Sequence, residues 1–249
     1  VIQQAFGDDP SDPELLPQLE RLAATNAGQD PEAWRRAADA VGEALEKALK
    51  DDAEGLGDGN VTPELARELY LRTASWYREH LDDPATAAKR LSQALEQDPK
   101  SVDALTSLEE MQRAAEQSRE LIDTLRRLAE LSDAGEGVDR DSAELRREAK
   151  TIADELEEGE LAEQILRDML AVDDADVWAL TELCEVCERK EAYDELLQHL
   201  RRRLALMPEP DELRELRHRA AAVASDQLDD NDAALDLYEQ AFEEDPQDD

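Results

Sequence analysis

The chain has 249 residues, of which 41% are hydrophobic, 37% are charged and only 4% are aromatic. This composition favours α-helices and gives little support for β-strands. The net charge of −37 repels phosphate backbones and anionic lipids, which argues against nucleic-acid binding. No apolar run approaches the roughly 20 residues of a membrane span, so no membrane insertion is expected.

The acidic surface has two explanations, and the sequence leaves both open. It attracts basic partners through long-range steering, or it serves solubility or adaptation to a salty medium. The chain starts at Val1, and residues 1–9 resemble the end of a helix, because AFGDDPSD at 5–12 mirrors AFEEDPQD at 241–248. We therefore expect a segment of a longer array, with any targeting signal upstream and a cytoplasmic location as the default.

Helices are predicted from apolar residues at helical spacing, and their ends from proline and acidic residues. Pro31, Pro99 and Pro246 are among the residues that mark the junctions. The Gly-rich residues 53–60 and residues 132–140 are predicted loops. In chain order, the predicted helices lie near 14–26, 31–50, 64–81, 84–97, 102–115, 117–131, 141–157, 159–171, 175–190, 192–206, 211–228 and 231–244.

Parts of the sequence repeat. Three stretches superpose, and they are LDDPATAAKRLSQALEQDP (81–99), LEEGELAEQILRDMLAVDD (156–174) and LDDNDAALDLYEQAFEEDP (228–246). Each begins with Leu and two acids, and each reaches an aspartate at the same place near its end, at positions 98, 173 and 245. Alanine also stands at the same place in all three, at positions 87, 162 and 234.

The stretches between these segments repeat as well. The shift that carries position 81 onto position 156 also carries ALTSL (104–108) onto ALTEL (179–183) and LIDTLRR (121–127) onto LLQHLRR (196–202). The repeating unit is therefore four helices, or two helical hairpins, in about 72–75 residues.

These residues resemble the tetratricopeptide repeat (TPR) family. Its hairpin has a Trp-x2-Leu-Gly-x2-Tyr first helix, an Ala-x3-Phe second helix and a closing Pro. Ala234, Tyr238 and Pro246 match the second half of that pattern. The fullest match is formed by Leu180, Leu183, Cys184, Cys187, Tyr193, Leu196, Leu200 and Pro208. In the hairpins that end at Pro99 and Pro246, the turn between the two helices is expected to be one residue longer.

The resemblance implies an all-α fold, a right-handed α-solenoid of about six stacked antiparallel helix pairs. Residues 1–61 are expected to form divergent hairpins, the first of them truncated, and residues 62–249 to form TPR-like repeats in one continuous solenoid. A single hairpin cannot bury its apolar stripe, whereas stacked hairpins share a core. The first helix of each hairpin lines a concave surface of the kind that binds peptides, helices or domains.

A row of basic residues is predicted on the groove side of the first helices. Arg72, Arg147 and Arg219 are equivalent, because each precedes its aligned alanine by the same number of positions. The complete set is Arg72, Arg78, Arg146, Arg147, Lys150, His218 and Arg219. One hypothesis is that these bases bind an acidic segment or a C-terminal carboxylate through charge-assisted hydrogen bonds. The alternative is that they pair with acids within and between the helices.

Other chemistry finds little support in the sequence. Cys184 and Cys187 invite a metal or redox interpretation, but zinc takes about four ligands and no second cysteine pair exists. His199 is expected on the other helix of the hairpin, so both cysteines are interpreted as packing residues. No metal and no other cofactor are therefore predicted. No nucleophile, base and oxyanion donor can be named together, which predicts that the chain is not an enzyme.

The favoured function is a scaffold that binds a protein or peptide on its concave face. The alternatives are a regulatory or substrate-docking arm of a larger enzyme and a self-assembling structural array. Trp34, Trp76 and Trp178 are either exposed anchors for a partner or packing residues between hairpins.

Overall fold

The computed structural model describes residues 2–30, 32–57 and 59–244, and over these residues it is built from helices without strands. The predicted junction residues Pro31 and Pro246 lie outside the described residues, as do Val1 and Asp58. The helices are α1 (Ile2–Asp8), α2 (Leu15–Asn26), α3 (Ala33–Ala53), α4 (Pro63–Glu79), α5 (Pro84–Gln97), α6 (Val102–Ala114), α7 (Ser118–Asp133), α8 (Ser142–Glu155), α9 (Gly159–Val172), α10 (Val177–Arg189), α11 (Tyr193–Ala205), α12 (Pro210–Ala222), a π-helical turn (Val223–Gln227) and α13 (Asn231–Glu244).

The chain divides into two compact units, and the first comprises residues 1–140. Within it α2 packs on α3, α4 on α5 and α6 on α7, and α1 lies against both α2 and α3. Its core includes Phe6, Leu45 and Tyr77, which are 0–2% exposed. The Tyr77 hydroxyl donates a hydrogen bond of 2.6 Å to Asp39, which links α4 to α3.

The second unit comprises residues 141–249. Its hairpins are α8 with α9, α10 with α11, and α12 with α13, and consecutive hairpins meet through α9 with α10 and α11 with α12. Leu180, Leu196 and Leu200 lie at its centre and are 0% exposed. Ala162 and Ala234, two of the aligned alanines, are also buried, which lets the helices pack closely.

Six hairpins are thus present in the described chain, and the predicted all-α fold of repeated helix pairs is confirmed. The helices begin where capping residues stand. The side chains of Thr62, Asp83 and Ser101 accept hydrogen bonds from backbone N–H groups three residues on, and proline follows Thr62 and Asp83 directly. Such caps satisfy donors that a helix leaves unpaired at its start. Within the described residues, each helix is too short or too polar to cross a membrane.

The turn inside each of the last five hairpins contains an acidic residue in the left-handed conformation. These residues are Asp82 (φ 48°), Glu116 (φ 54°), Glu157 (φ 58°), Glu191 (φ 55°) and Asp229 (φ 58°). In three turns, a backbone N–H closes onto the carbonyl five residues earlier, as Ala192 does onto Cys187 at 2.8 Å. That arrangement is the Schellman ending of a helix, in which the left-handed residue allows the chain to reverse.

The turns before α5 and α13 are wider. There the N–H of Asp83 donates to the carbonyl of Tyr77 and the N–H of Asp230 to that of Ala224, each six residues earlier. These are the two hairpins for which a longer turn is predicted from the sequence. Before α13, part of the extra length is wound into the π-helical turn, whereas the sequence predicts one regular helix over 211–228.

One glycine has a packing role. Gly42 lies within α3, and a Cβ there would stand 2.7 Å from Cζ of Arg90 and closer still to its Nη2. Arg90 belongs to α5, is 8% exposed and pairs with Glu46 at 3.2 Å. The guanidinium therefore lies directly on the backbone of α3.

Candidate functional site

The predicted bases of residues 141–249 lie on the first helices of hairpins. The Asp141 side chain caps α8 by accepting hydrogen bonds from the N–H groups of Ala143 (2.9 Å) and Glu144 (3.2 Å). On α8, Arg146 and Lys150 are one turn apart and only 6% and 8% exposed, respectively. Arg147 is on the exposed side of the same helix.

Arg147 and Lys150 both approach one aromatic ring. Trp178, in the first turn of α10, is half-buried. Arg147 Cζ lies 5.3 Å and Lys150 Nζ 5.6 Å from its ring centroid. Both distances fall within the range of a cation–π interaction. The indole of α10 is thus held against two cations of α8.

Acidic residues of α8, of α10 and of the α10 cap complete this arrangement. Arg147 Nη2 lies 3.4 Å from Asp176 Oδ2, while Asp176 Oδ1 accepts the N–H of Ala179 at 2.9 Å and caps α10. Lys150 Nζ pairs with Asp154 at 2.8 Å and with Glu182. Burial opposes the charged form of Lys150, but the hydrogen bonds to these two carboxylates outweigh it and raise the pKa of the amine.

Arg219 on α12 makes a similar connection. Its Nη2 lies 2.6 Å from Oε2 of Glu188 on α10. The neighbouring His218 places its ring edge-on to Tyr238, with centroids 6.1 Å apart. Ion pairs therefore join α8 to α10 and α10 to α12 along the face of the first helices.

Within residues 1–140, bases on one first helix likewise pair with acids on neighbouring first helices. Arg72 on α4 pairs with Glu20 on α2, and this hydrogen bond raises the pKa of the guanidinium. Arg78 on α4 reaches Glu110 on α6 at 3.0 Å. In each unit, bases predicted for the groove side thus contact acids of a neighbouring first helix. We call this arrangement within each unit the first-helix face.

The two cysteines lie side by side on α10 in the core, and both are 2% exposed and reduced. Burial raises the pKa of Cys184 to about 11 and also raises that of Cys187. Both groups are therefore thiols at neutral pH.

Cys187 also faces the second helix of its hairpin. Its Sγ, a carboxylate oxygen of Glu195 and a ring nitrogen of His199 all lie within 4.8 Å of one another. His199 is on α11, as predicted, but the hairpin packing brings it to Cys187. The sequence shows the Glu195–His199 pair at i and i+4. It does not show which residue of α10 that pair meets, and so this group is absent from the predicted sites.

The tryptophans have different environments. Trp76 is 2% exposed, so the anchor interpretation is wrong for this residue. Trp34 is half-buried and stacks on His80, with ring centroids 3.9 Å apart. Trp178 is the tryptophan in contact with predicted groove bases.

No known family profile matches this sequence, and no curated protein matches it. Solved structures do match. A MamA protein has 16% identity and a TM-score of 0.38, over 73% of this chain and 93% of that one. YrrB, described as a TPR protein with an unusual peptide-binding site, has 17% identity and a TM-score of 0.35, over 83% and 94%. A tetratricopeptide repeat protein from Parabacteroides merdae has 16% identity and a TM-score of 0.36, over 92% and 79%.

Proposed function

We propose that this TPR-like helical repeat protein is a scaffold that binds a protein or peptide partner on its first-helix face. The observation that carries the proposal is the contact of Arg147 and Lys150 with the ring of Trp178. In a chain of charge −37, this small area combines two cations with a half-buried aromatic ring. Aromatic rings and arginines are the residues that dominate binding surfaces.

An acidic segment or a C-terminal carboxylate is the proposed ligand. Arg147 carries five N–H donors, and its side chain is 44% exposed. Its contact with Asp176 is long, at 3.4 Å, and Asp176 is already engaged in capping α10. An incoming carboxylate can therefore bind Arg147 in a bidentate manner without uncapping the helix.

Arg219 offers a second contact by exchange of partners. Its present partner Glu188 has a side chain that is 58% exposed, so this carboxylate can swing into water when a ligand arrives. Surface ion pairs contribute little stability, and such an exchange costs little. Arg72 and Arg78 are the proposed counterparts in residues 1–140. Two residues complete the proposed set. They are the buried Arg146 on α8 and His218, which precedes Arg219 on α12.

The test uses charge reversal with a matched control. Arg147→Glu and Arg219→Glu each change the net charge by −2, as does Arg201→Glu on the exposed side of the second helix α11. Partners are captured with the wild-type chain and identified, and acidic peptides from them are titrated with a free or an amidated C-terminus. Each lost charge-assisted hydrogen bond should weaken binding by about 10–100-fold.

The Arg201→Glu control separates the loss of a contact at the proposed site from the general electrostatic effect of a more negative net charge. We expect Arg201→Glu to bind the peptides as the wild type does, apart from a small effect that salt removes. Equal loss of binding in all three variants, or unchanged binding in Arg147→Glu and Arg219→Glu, would refute the proposed surface. Far-UV circular dichroism checks that each variant keeps its helices.

A further inference from the structure

We propose that Cys187, Glu195 and His199 form a binding site for a divalent transition metal of the zinc class, with water as a fourth ligand. The site is separate from the first-helix face. It joins α10 to α11 beside the turn of their hairpin.

The three donor atoms are placed as a metal requires. Sulfur, nitrogen and oxygen ligands lie about 2.0–2.3 Å from zinc, so they stand about 3–4 Å from one another. The donor atoms of Cys187, Glu195 and His199 are within 4.8 Å of one another without a metal.

The backbone fixes this geometry. Glu195 and His199 are four residues apart on α11, so their side chains share a helix face. Cys187 comes from α10, and the turn between the helices is only Lys190–Ala192. Within it, the N–H of Ala192 donates to the carbonyl of Cys187 itself at 2.8 Å. The cysteine is therefore held in register with the start of the helix that carries the other two ligands.

The three proposed ligands differ in solvent exposure, and the differences suit the binding of a metal from solution. Cys187 is 2% exposed, and His199 is half-buried, with a buried Nδ1 that has no hydrogen-bond partner among the described residues. A buried ring nitrogen without a partner is energetically costly, and a metal bound through Nδ1 would satisfy it. The Glu195 side chain is 54% exposed, which leaves a path for the metal and room for the water.

The surrounding charges permit a dication. Arg167 lies 3.5 Å from Glu195, but it also pairs with Glu163, as does Lys190. Glu163 has an 8% exposed side chain and offsets the positive charge of both neighbours. One thiolate, one carboxylate and a neutral imidazole balance the charge of the metal. On binding, the thiol proton of Cys187 is released to solvent and the sulfur lone pair forms the metal bond.

The donor set selects the metal class. Thiolate and imidazole favour zinc and copper over magnesium and calcium, which prefer oxygen ligands. With three protein ligands and water, the expected geometry is tetrahedral. Bound metal would connect the two helices of this hairpin and stabilise the folded form.

The experiment titrates the full, tag-free chain with Co²⁺ after treatment with a chelator, and then displaces Co²⁺ with Zn²⁺. We expect a sulfur-to-cobalt charge-transfer band and the visible bands of tetrahedral cobalt. Cys187→Ala should abolish the charge-transfer band and His199→Ala should weaken binding at least ten-fold. Cys184→Ala, the matched control on the same helix with the same burial, should bind as the wild type does.

A second measurement needs no substitution. Zn²⁺ should slow the alkylation of Cys187 in the wild-type chain by at least ten-fold and leave Cys184 unchanged, as read by mass spectrometry of the peptides. The proposal is overturned if the cobalt spectrum lacks the sulfur band, if Cys184→Ala loses it equally, or if zinc protects both cysteines alike.

Discussion

The effect of Gly42→Ala on the stability of the protein is expected to change sign when Arg90 is removed. An interior helical glycine normally makes a helix less stable than alanine does, by about 1 kcal/mol. Gly42→Ala would therefore stabilise α3 if nothing lay beside it. Here the new Cβ would lie 2.7 Å from Arg90 Cζ, so the guanidinium must move.

The cost of that movement follows from the contacts of Arg90. Its Nη1 lies 3.2 Å from Glu46 and 2.9 Å from Gln93, and its Cζ stands 6.0 Å from the ring centroid of Tyr70. Hydrogen bonds of a charged group contribute about 1.5–3 kcal/mol when buried. Glu46 has a 54% exposed side chain, which lowers the value of that pair. We estimate a loss of about 2–3 kcal/mol against the gain of about 1 kcal/mol.

The measurement is a double-mutant cycle with Arg90→Ala, read by urea unfolding. In a Trp178→Phe background, the remaining tryptophans are Trp34 and Trp76, both within residues 1–140, so tryptophan fluorescence excited selectively over tyrosine reports the unit that contains Gly42. Gly42→Ala should destabilise the wild type by about 1–2 kcal/mol and stabilise the Arg90→Ala variant by about 1 kcal/mol. Stabilisation by the same amount in both backgrounds would show that the guanidinium does not rest on α3.

Three further outcomes follow from the structure. Asp176→Asn keeps a capping side chain on α10 and Asp176→Ala does not, so the alanine variant should be less stable by about 1 kcal/mol, a difference read by urea unfolding. Hydrogen bonding from Arg67, with that from the Lys100 N–H, lowers the pKa of Asp98. The stability that this interaction contributes is complete above the usual aspartate pKa and is lost as pH falls through the lowered pKa. Arg67→Met should therefore make the free energy of unfolding depend less on pH below about pH 4. An unchanged pH dependence would contradict this. Added NaCl should raise the thermal midpoint, because screening relieves the repulsion of a chain with charge −37 more than it weakens its ion pairs, and a falling midpoint would show the reverse.

The helical hairpins could be predicted because their signals are local. Thr62–Pro63 and Asp83–Pro84 combine a capping side chain with a residue suited to the first helical turn, and both helices begin there. Even the wider turns before α5 and α13 follow from comparing repeat lengths. The π-helical turn could not be predicted, because Val223–Gln227 has ordinary helical composition and the extra residue can be accommodated in more than one place.

The site residues were less predictable because they depend on contacts between helices. Register places Arg147 and Lys150 near one another on α8, but only packing on α10 brings them to Trp178. The group of Cys187, Glu195 and His199 depends likewise on the short turn that sets α10 against α11. The spacing of residues along the sequence gives neither the distance from these bases to Trp178 nor the distances within the group of Cys187, Glu195 and His199.

The left-handed acids of the hairpin turns bear on how this protein can evolve. Residues other than glycine lose about 1 kcal/mol or more in that conformation, and five turns carry Asp or Glu there. Glycine at any one of them relieves local strain and also removes a negative charge from a strongly acidic chain. Each of the five turns belongs to a different hairpin, and gains at turns that share no contacts would accumulate. The repeat therefore retains several single-step routes to a more stable form, which a lineage can follow whenever a destabilising change elsewhere must be tolerated.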